Sequence, residues 1–546
     1  MTARRVSRPE GAPPATPVEV EWKLLAPADV SDEEVADVVR DGGLTLSPPS
    51  KRHQVDRYLD TPTIDLVHND ISLRLRESSG GSTLTLKMRL PSEDAAAAEG
   101  AWTRLEIEEP VRRGAPPPER ALQLPERLRN YAEPFVLARP LVEVARLQVD
   151  RTLRELRGPL SGVRAALAID RVRVSGQERA GEFTEVELEV LSGDPVGLAR
   201  LAGDLQHRLG LVPSASDKLT RALALAGMEP PEPASAAPGL VAETRLREAA
   251  ARILRVHLHA FALAEPVARI GEDREGVHRM RVATRRMRAT FRLFADAFPP
   301  KGLERALSFM RRMGAELGRV RDLDVMLEQL PGLSRELPQI VAADLDPLRE
   351  LLVEFHARER RRLVAWLGST PRLARTQAFQ RFALSVPLRL RGSAGRPLHE
   401  VAPGLLQSAA HRVFRRGDRV RKNSPPEHLH ALRIATKRLR YTAEALAELY
   451  GDDLARCLRR MVKLQDVLGA YNDAHVAQAL LSGWVDTPQG RRLPRRTLVA
   501  VGSVIAAQDA RADQARRAFR KAWREFSREK VRQEFEALER LPLGRA

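Results

Sequence analysis

A single cysteine, Cys457, stands among 546 residues. No internal disulfide and no paired-cysteine metal site can therefore form, which suits a reducing compartment. Aromatic residues make up only 4%, so platforms for stacking nucleobases are few. No stretch approaches the ~20 apolar residues of a membrane-spanning helix. Arg4, Arg5 and Arg8 near the start are not followed by the apolar core of a secretory leader. The expectation is a cytoplasmic protein without a membrane partner. Apolar residues at 43% and charged residues at 30% describe a globular chain, and its length exceeds what one hydrophobic core usually organises.

Negative charge is short in one part of the chain only. Residues 1–230 carry 31 Lys and Arg against 36 Asp and Glu, a net of −5, whereas residues 231–546 carry 59 against 36, a net of +23. The C-terminal part alone is composed for a polyanion. Between the two lies Glu229-Pro-Pro-Glu-Pro-Ala-Ser-Ala-Ala-Pro238, with four prolines and no periodicity, which reads as a semi-extended linker. The expected organisation is a tail over 1–16, a β domain over 17–228, a linker over 229–239 and a helical domain over 240–540.

Before the linker, Val18–Leu24, Ser72–Arg76, Thr83–Arg89, Thr103–Glu108, Ala168–Val174 and Thr184–Leu191 alternate apolar and polar residues. This is the period of antiparallel strands, and many short strands at close spacing predict a barrel or sandwich. The alternation puts Glu19, Glu21 and Lys23 on one face, and likewise Arg74 with Arg76, Lys87 with Arg89, Arg104 with Glu106 and Glu108, and Glu185 with Glu187 and Glu189. Solvated sheet faces would show the same pattern singly. If the sheet closes, one complete set of faces points inward, and a charged interior is tolerable only with partners. A divalent cation on the carboxylates and a phosphate chain on the cations would supply them, and hard oxygen ligands suit Mg²⁺ or Mn²⁺.

Beyond Gly239, Val241–Ala264, Val277–Phe298 and His428–Tyr450 place apolar residues three and four apart, which predicts a helical bundle. This part repeats itself. Val277-His-Arg-Met-Arg-Val-Ala-Thr-Arg-Arg-Met-Arg288 aligns on Leu429-His-Ala-Leu-Arg-Ile-Ala-Thr-Lys-Arg-Leu-Arg440 at an offset of 152, and Leu317-Gly318 with Asp322 aligns on Leu468-Gly469 with Asp473 at 151. Two related halves, about 240–390 and 391–540, should pack with pseudo-two-fold symmetry. On a helix, His278, Arg281, Arg285 and Arg288 fall within about an 80° arc, as do His430, Arg433, Lys437 and Arg440. Neither stripe contains a carboxylate, so each is built to be relieved by an anion. Ala283-Thr284 and Ala435-Thr436 read as packing positions, while Arg311, Arg312, Arg412, Arg415, Arg416, Arg419, Arg421, Lys422 and Lys463 are the further basic positions that would extend the cationic surface.

Glu19-x-Glu21-x-Lys23 resembles the signature of the CYTH, or triphosphate tunnel, family. The resemblance continues through Arg57-Tyr-Leu-Asp-Thr-Pro62, Leu73-Arg-Leu-Arg76, Leu84-Thr-Leu-Lys87, Arg104-Leu-Glu-Ile-Glu108, Asp170, Glu185-Val-Glu-Leu-Glu189 and Ser216-Asp-Lys218. It implies an eight-stranded antiparallel barrel in which Glu19, Glu21 and one or both of Glu187 and Glu189 hold metal, and Lys23, Arg74, Arg76, Lys87, Arg104 and Lys218 grip phosphates. Glu106 and Glu108 are the candidates to position the attacking water. The helical part resembles the CHAD domain, whose family role is binding inorganic polyphosphate. Together the resemblances imply a metal-dependent inorganic triphosphatase with a polyphosphate-binding helical domain, which could associate with polyphosphate granules. A non-catalytic granule-binding protein, an adenylate cyclase and a thiamine triphosphatase are the alternatives. Nucleic acid is disfavoured by the lack of aromatics in the stripes.

Overall fold

The computed structural model describes residues 18–26, 30–89, 101–136, 139–158, 164–175, 181–193, 196–214, 216–227, 237–271, 274–335, 339–387 and 392–540. The expected tail over 1–16 and most of the expected linker lie outside them. The chain divides into two compact units, Met1–Ser235 and Ala236–Ala546.

The first unit contains β1 (Val18–Ala26), β2 (Thr45–Leu46), β3 (Ser50–Asp60), β4 (Ile71–Ser78), β5 (Gly81–Arg89), β6 (Ala101–Val111), β7 (Val142–Arg157), β8 (Arg164–Ser175), β9 (Gly181–Ser192) and β10 (Val212–Pro213). Eight of them close in the order β1-β6-β5-β4-β3-β7-β8-β9, with β9 pairing back on β1 and every ladder antiparallel. Closure gives each of these eight strands a neighbour on both sides, while the short β2 and β10 pair on the ring from β7 and β1. All six expected strands lie within observed ones. The long strands β3 and β7 carry no clean alternation and were not predicted.

Among the described residues four α-helices accompany the barrel: α1 (Asp32–Asp41), α2 (Glu126–Val136), α3 (Val196–Leu209) and α4 (Lys218–Leu225). Ser31 starts α1 with a reciprocal capping box to Glu34. Trp22, Leu24, Val186 and Leu188, which point away from the charged positions of their strands, pack under Val35, Val39, Leu198 and Leu205 of α1 and α3. The hydrophobic core of this unit is therefore outside the barrel, between strands and helices. At one end the inward positions Tyr58, Leu147, Val149, Val172 and Val174 turn apolar and pack on Leu219, Ala222 and Leu223 of α4. Helix α4 thus fills that part of the bore, with Asp217 and Lys218 at its leading end.

A buried aspartate fixes the turn that follows β3. Asp60 accepts hydrogen bonds from the backbone N–H groups of Thr61 (2.6 Å), Leu66 (2.9 Å) and Val67 (2.9 Å). Burial outweighs these bonds and holds its carboxyl up at about 6. This explains the Asp-Thr-Pro part of the motif as a turn anchor.

Among the described residues the second unit has helices and no strand: α5 (Leu246–Ile270), α6 (Glu275–Leu293), α7 (Pro300–Arg335), α8 (Gln339–Ala342), α9 (Asp346–Leu367), α10 (Thr370–Leu384), α11 (Leu398–Gly417), α12 (Pro426–Ala445), α13 (Ala447–Val485), α14 (Arg495–Phe526) and α15 (Glu529–Ala537). The order α5-α6-α7 returns as α11-α12-α13, and α6 packs on α12 where the halves meet. One apolar cluster runs through both halves, from Leu254, Met280 and Phe291 to Leu406, Leu432 and Leu468. Thr284 and Thr436 are buried at matching places, each hydroxyl bonding the carbonyl four residues back, Met280 at 2.8 Å and Leu432 at 2.9 Å. Near its start α13 breaks at Gly451, whose φ of 53° and ψ of −134° lie where a side chain would be strained. Among the described residues no helix is long and apolar enough to cross a membrane.

Candidate functional site

Antiparallel register sets the bore of the barrel. Glu19 stands opposite Arg104, Glu21 opposite Glu189, Lys23 opposite Glu187, Lys87 opposite Glu106, and Arg151 opposite Asp170. Ion pairs between strands that are not neighbours place these side chains inside: Lys87 of β5 reaches Glu19 of β1 at 2.8 Å, and Arg151 of β7 reaches Glu187 of β9 at 2.8 Å. They surround a cavity of about 230 Å³.

Its cations are Lys23, Arg74, Arg76, Lys87, Arg104, Arg151 and Lys218, and its carboxylates are Glu19, Glu106, Glu108, Glu187, Glu189 and Asp217. Five of the carboxylates come from the contiguous strands β9, β1 and β6. Arg74 and Arg76 come from β4, which the strand order sets across the ring from β9. An acidic arc thus faces a basic one.

Burial forces these charges into defined states. Despite burial, Lys218, Lys23 and Arg151 hold Glu187 well below the usual carboxylate range, at 2.6, 2.5 and 2.8 Å respectively. Glu19 goes the other way: burial first, with added repulsion from Glu21, Glu106 and Glu189, overcomes Lys87 and pushes its carboxyl up to about 8. Glu189 is also raised, by burial and then by Glu106 and Glu21 against the pull of Lys87. Glu106 stays ionised, because Lys87 and Arg74 outweigh its burial.

The expected site residues divide by position. Glu19, Lys23, Arg74, Arg76, Lys87, Arg104, Glu106, Glu108, Glu187, Glu189 and Lys218 all line the one cavity, whereas Glu21 lies beneath the wall at 1% exposure, beside Lys23 at 3.3 Å and Arg104 at 3.8 Å. Among the described residues, no three potential ligands converge as a ready metal cage. Glu187 is engaged by three cations and, among the described residues, Glu19 by Lys87 alone, so Glu19 and Glu189 are the metal candidates facing the cavity whose charge is least offset. Their donor chemistry fits a divalent cation: two crowded carboxylates with raised proton affinity are what a hard cation would discharge.

Sequence reasoning did not single out Asp56 or Arg151, and it named Asp170 and Glu185 as motif positions without a specific part in the site. Asp56 is fully buried and receives Arg76 Nε at 2.7 Å and Arg74 Nη1 at 3.4 Å. Against the effect of burial, Arg74 and Arg76 hold it down at about 2. Asp170 binds Arg151 through two bonds of 2.6 Å and Lys218 at 2.9 Å. These acids aim the cations that line the cavity. Asp56→Asn is expected to destabilise this unit by about 3–5 kcal/mol, because it leaves buried guanidinium charge short of its partner, and thermal unfolding measures it. The depressed folded pKa makes the Asp56 contribution complete above the ordinary aspartate range and lost as pH falls towards 2. The contribution should therefore vanish from a wild-type-versus-variant comparison near pH 2.

In the helical unit a second cavity, of about 480 Å³, opens between α6, α11 and α12. Its charged lining is Arg285, Arg288, Arg292, Arg412, Arg416, Lys437 and Arg438, with no carboxylate among the lining residues. Only Arg285, Arg288 and Lys437 of the expected stripes reach it. Arg281 crosses Gly318, where a Cβ would come within 2.7 Å of its Nη1, and pairs with Asp322 at 3.5 Å. Arg433 pairs with Asp473 at 3.8 Å, and Arg440 with Glu444 at 2.6 Å. The stripes are thus not unbroken cationic faces, since their carboxylates arrive from α7 and α13 and from the next turn of α12. His278 is partly buried and its imidazole is held neutral chiefly by burial, and His430 is exposed. Neither lines the pocket. The arginines on α11 carried a signal in their i, i+4 spacing at Arg412 and Arg416, yet the partner positions 152 residues earlier on α5 are Ala260 and Ala264. The basic pocket is consequently a feature of one side of the pseudo-two-fold.

The model of the CYTH domain matches residues 18–223, and that of the CHAD domain matches residues 252–482. Uncharacterized proteins of two Mycobacterium tuberculosis strains are 27% identical over 503 residues, covering 86% of this chain and 89% of theirs. The crystal structure of the CHAD domain from the plant Ricinus communis is 28% identical, with a TM-score of 0.46 over 53% of this chain and 95% of that one. A Hippeastrum adenylyl cyclase described as having a dominant triphosphatase activity is 17% identical, with a TM-score of 0.25 over 38% of this chain and 96% of that one. CYTH domains are triphosphate tunnel enzymes and generally depend on a divalent metal. Residues 18–223, with their closed, charge-lined barrel, form a CYTH domain, and residues 252–482, with their duplicated helical bundle, form the CHAD domain that follows it in the sequence.

Proposed function

We propose that the barrel hydrolyses inorganic triphosphate, including the ends of polyphosphate chains, with a divalent metal, and that the helical domain binds polyphosphate. The observation that carries the reading is the cavity of about 230 Å³ in which seven cations meet an acidic arc. Sites for drug-sized organic ligands span roughly 300–1,000 Å³, so the space suits a bare phosphate chain better than a nucleotide. Lys23, Arg74, Arg76, Lys87, Arg104, Arg151 and Lys218 bind and orient the phosphates. Their charge, fixed in place by Asp56, Asp170, Glu185 and Glu187, offsets the charge on the transferring phosphoryl group without reorganisation.

Glu19 and Glu189, backed by Glu21, would hold the metal, Mg²⁺ or Mn²⁺. Bound there, it would act as a Lewis acid on phosphate oxygens. Glu106, kept ionised beside Lys87 at 3.2 Å, and Glu108, which accepts a bond from Thr85 at 3.3 Å, are the carboxylates available to orient water. Because α4 fills one part of the bore, a chain enters by its end. The seven-cation pocket of the helical domain, which lacks a carboxylate in its lining, supports polyphosphate as the second ligand.

Phosphate release from tripolyphosphate, long polyphosphate, ATP and thiamine triphosphate, each with Mg²⁺ or Mn²⁺, tests the reading. The expected result is a kcat/KM for tripolyphosphate at least about a hundredfold above those for the two organic triphosphates, since a nucleoside or thiamine must stay outside the cavity and misalign the chain. Equal or better turnover of ATP would dismiss the assignment.

A further inference from the structure

We propose that Lys437 is an acylation site, taking an acyl group from small acyl phosphates that the arginines of the α6–α11–α12 pocket gather by their phosphate. Lys437 is partly buried and lines the cavity of about 480 Å³ together with Arg285, Arg288 and Arg412. Among the described residues no carboxylate forms an ion pair with it, in contrast to Lys23, Lys87 and Lys218, whose amines are each clamped by carboxylates. The groups around it are mostly cationic: Arg433 and Arg440 on its own helix, Arg285 from α6 and Arg412 from α11, with Asp473 from α13 opposing them. Burial first, then Arg433, Arg285 and Arg440, bring the ammonium down to about 8. A substantial fraction is therefore the free amine at mildly alkaline pH, and a desolvated lysine beside other cations is an activated nucleophile.

The reaction balances without an oxidant or reductant. The Nζ lone pair attacks the carbonyl carbon of the acyl phosphate, and an N–C bond forms. The C–O bond to phosphate breaks, phosphate leaves with the electron pair, and the ammonium proton passes to it or to water. The products are an amide at Lys437 and inorganic phosphate. Acylation removes one positive charge from the pocket and so weakens its hold on any polyanion.

The inference rests on the proposed phosphate affinity of this pocket. The full-length protein is treated with acetyl phosphate at pH 8, and the acetylated lysines are quantified by peptide mass spectrometry. Lys437 is expected to react at least about tenfold faster than the exposed Lys422 and Lys521. Inorganic phosphate should slow it, and the excess should shrink with an uncharged acetylating ester, which the arginines do not attract. No excess at Lys437, or the same excess with both reagents, overturns the proposal. Long polyphosphate added as a protectant separates the two readings. If it fails to protect while acetyl phosphate remains selective, polyphosphate binding at the pocket is dismissed and the acylation site stands.

Discussion

Replacing Glu19 or Glu21 by glutamine is expected to lower phosphate release from tripolyphosphate on the order of a thousandfold, the scale of losing one preorganised electrostatic group, and to leave polyphosphate binding by the helical domain unchanged. The two variants should differ in stability. Glu19 has its carboxyl raised to about 8 by burial and by its acidic neighbours, so a neutral glutamine there costs the fold little. What disappears is the anion that a metal would claim. Glu21 is held ionised by Lys23, Lys87 and Arg104 in spite of its burial, so glutamine there leaves buried cations short of a partner and should also lower the melting temperature. Rates at saturating metal, with thermal unfolding of the same samples, separate these effects. A wild-type rate in Glu19→Gln would remove the carboxylate arc from the reaction.

The barrel was legible because its two faces obey different rules. Strands β1, β4, β5, β6 and β9 keep charge on one face and aliphatic side chains on the other; the charged faces line the cavity, and the aliphatic faces of β1 and β9 are buried under α1 and α3. Alternation therefore survives undiluted. Strand β7 escaped because its inward face runs Leu147, Val149, Arg151, apolar where α4 fills the bore and charged where the cavity begins. A change of environment along one strand erases the period that would have revealed it. The acids that aim the cations were hidden for a related reason. Asp56 makes sense only once β3 lies beside β4 and sets it against Arg76, a pairing that no local spacing contains. In the helical domain the repeat and its packing threonines were written plainly. The fate of the stripes was not, since Asp322 and Asp473 reach Arg281 and Arg433 from neighbouring helices. The matching Leu-Gly and Asp of the two halves did carry that information, as the places where an arginine crosses a glycine-bearing helix or finds its partner.

That pairing alters which arginines should matter for polyphosphate. Arg281 already has Asp322 at 3.5 Å, whereas Arg288 and Arg412 enter the pocket from different repeats with no ion pair among the described residues. Arg288→Glu/Arg412→Glu is therefore expected to weaken long-chain binding more than about a hundredfold at physiological salt, while Arg281→Gln costs only a few fold. By analogy with single-stranded nucleic acids, each lost phosphate contact lowers the slope of log affinity against log salt by about 0.7, so the double variant should flatten it by at least twice that. The one-sided pocket adds a stoichiometric expectation. Ala260 and Ala264 occupy the α5 positions that match Arg412 and Arg416, so each molecule should take up a single chain and not one per repeat. Calorimetry on the full-length protein, with Glu19→Gln as background so that the ligand is not consumed, reads affinity, salt slope and stoichiometry together. Two chains per molecule, or an unchanged affinity in Arg288→Glu/Arg412→Glu, would move the polyphosphate site away from this pocket.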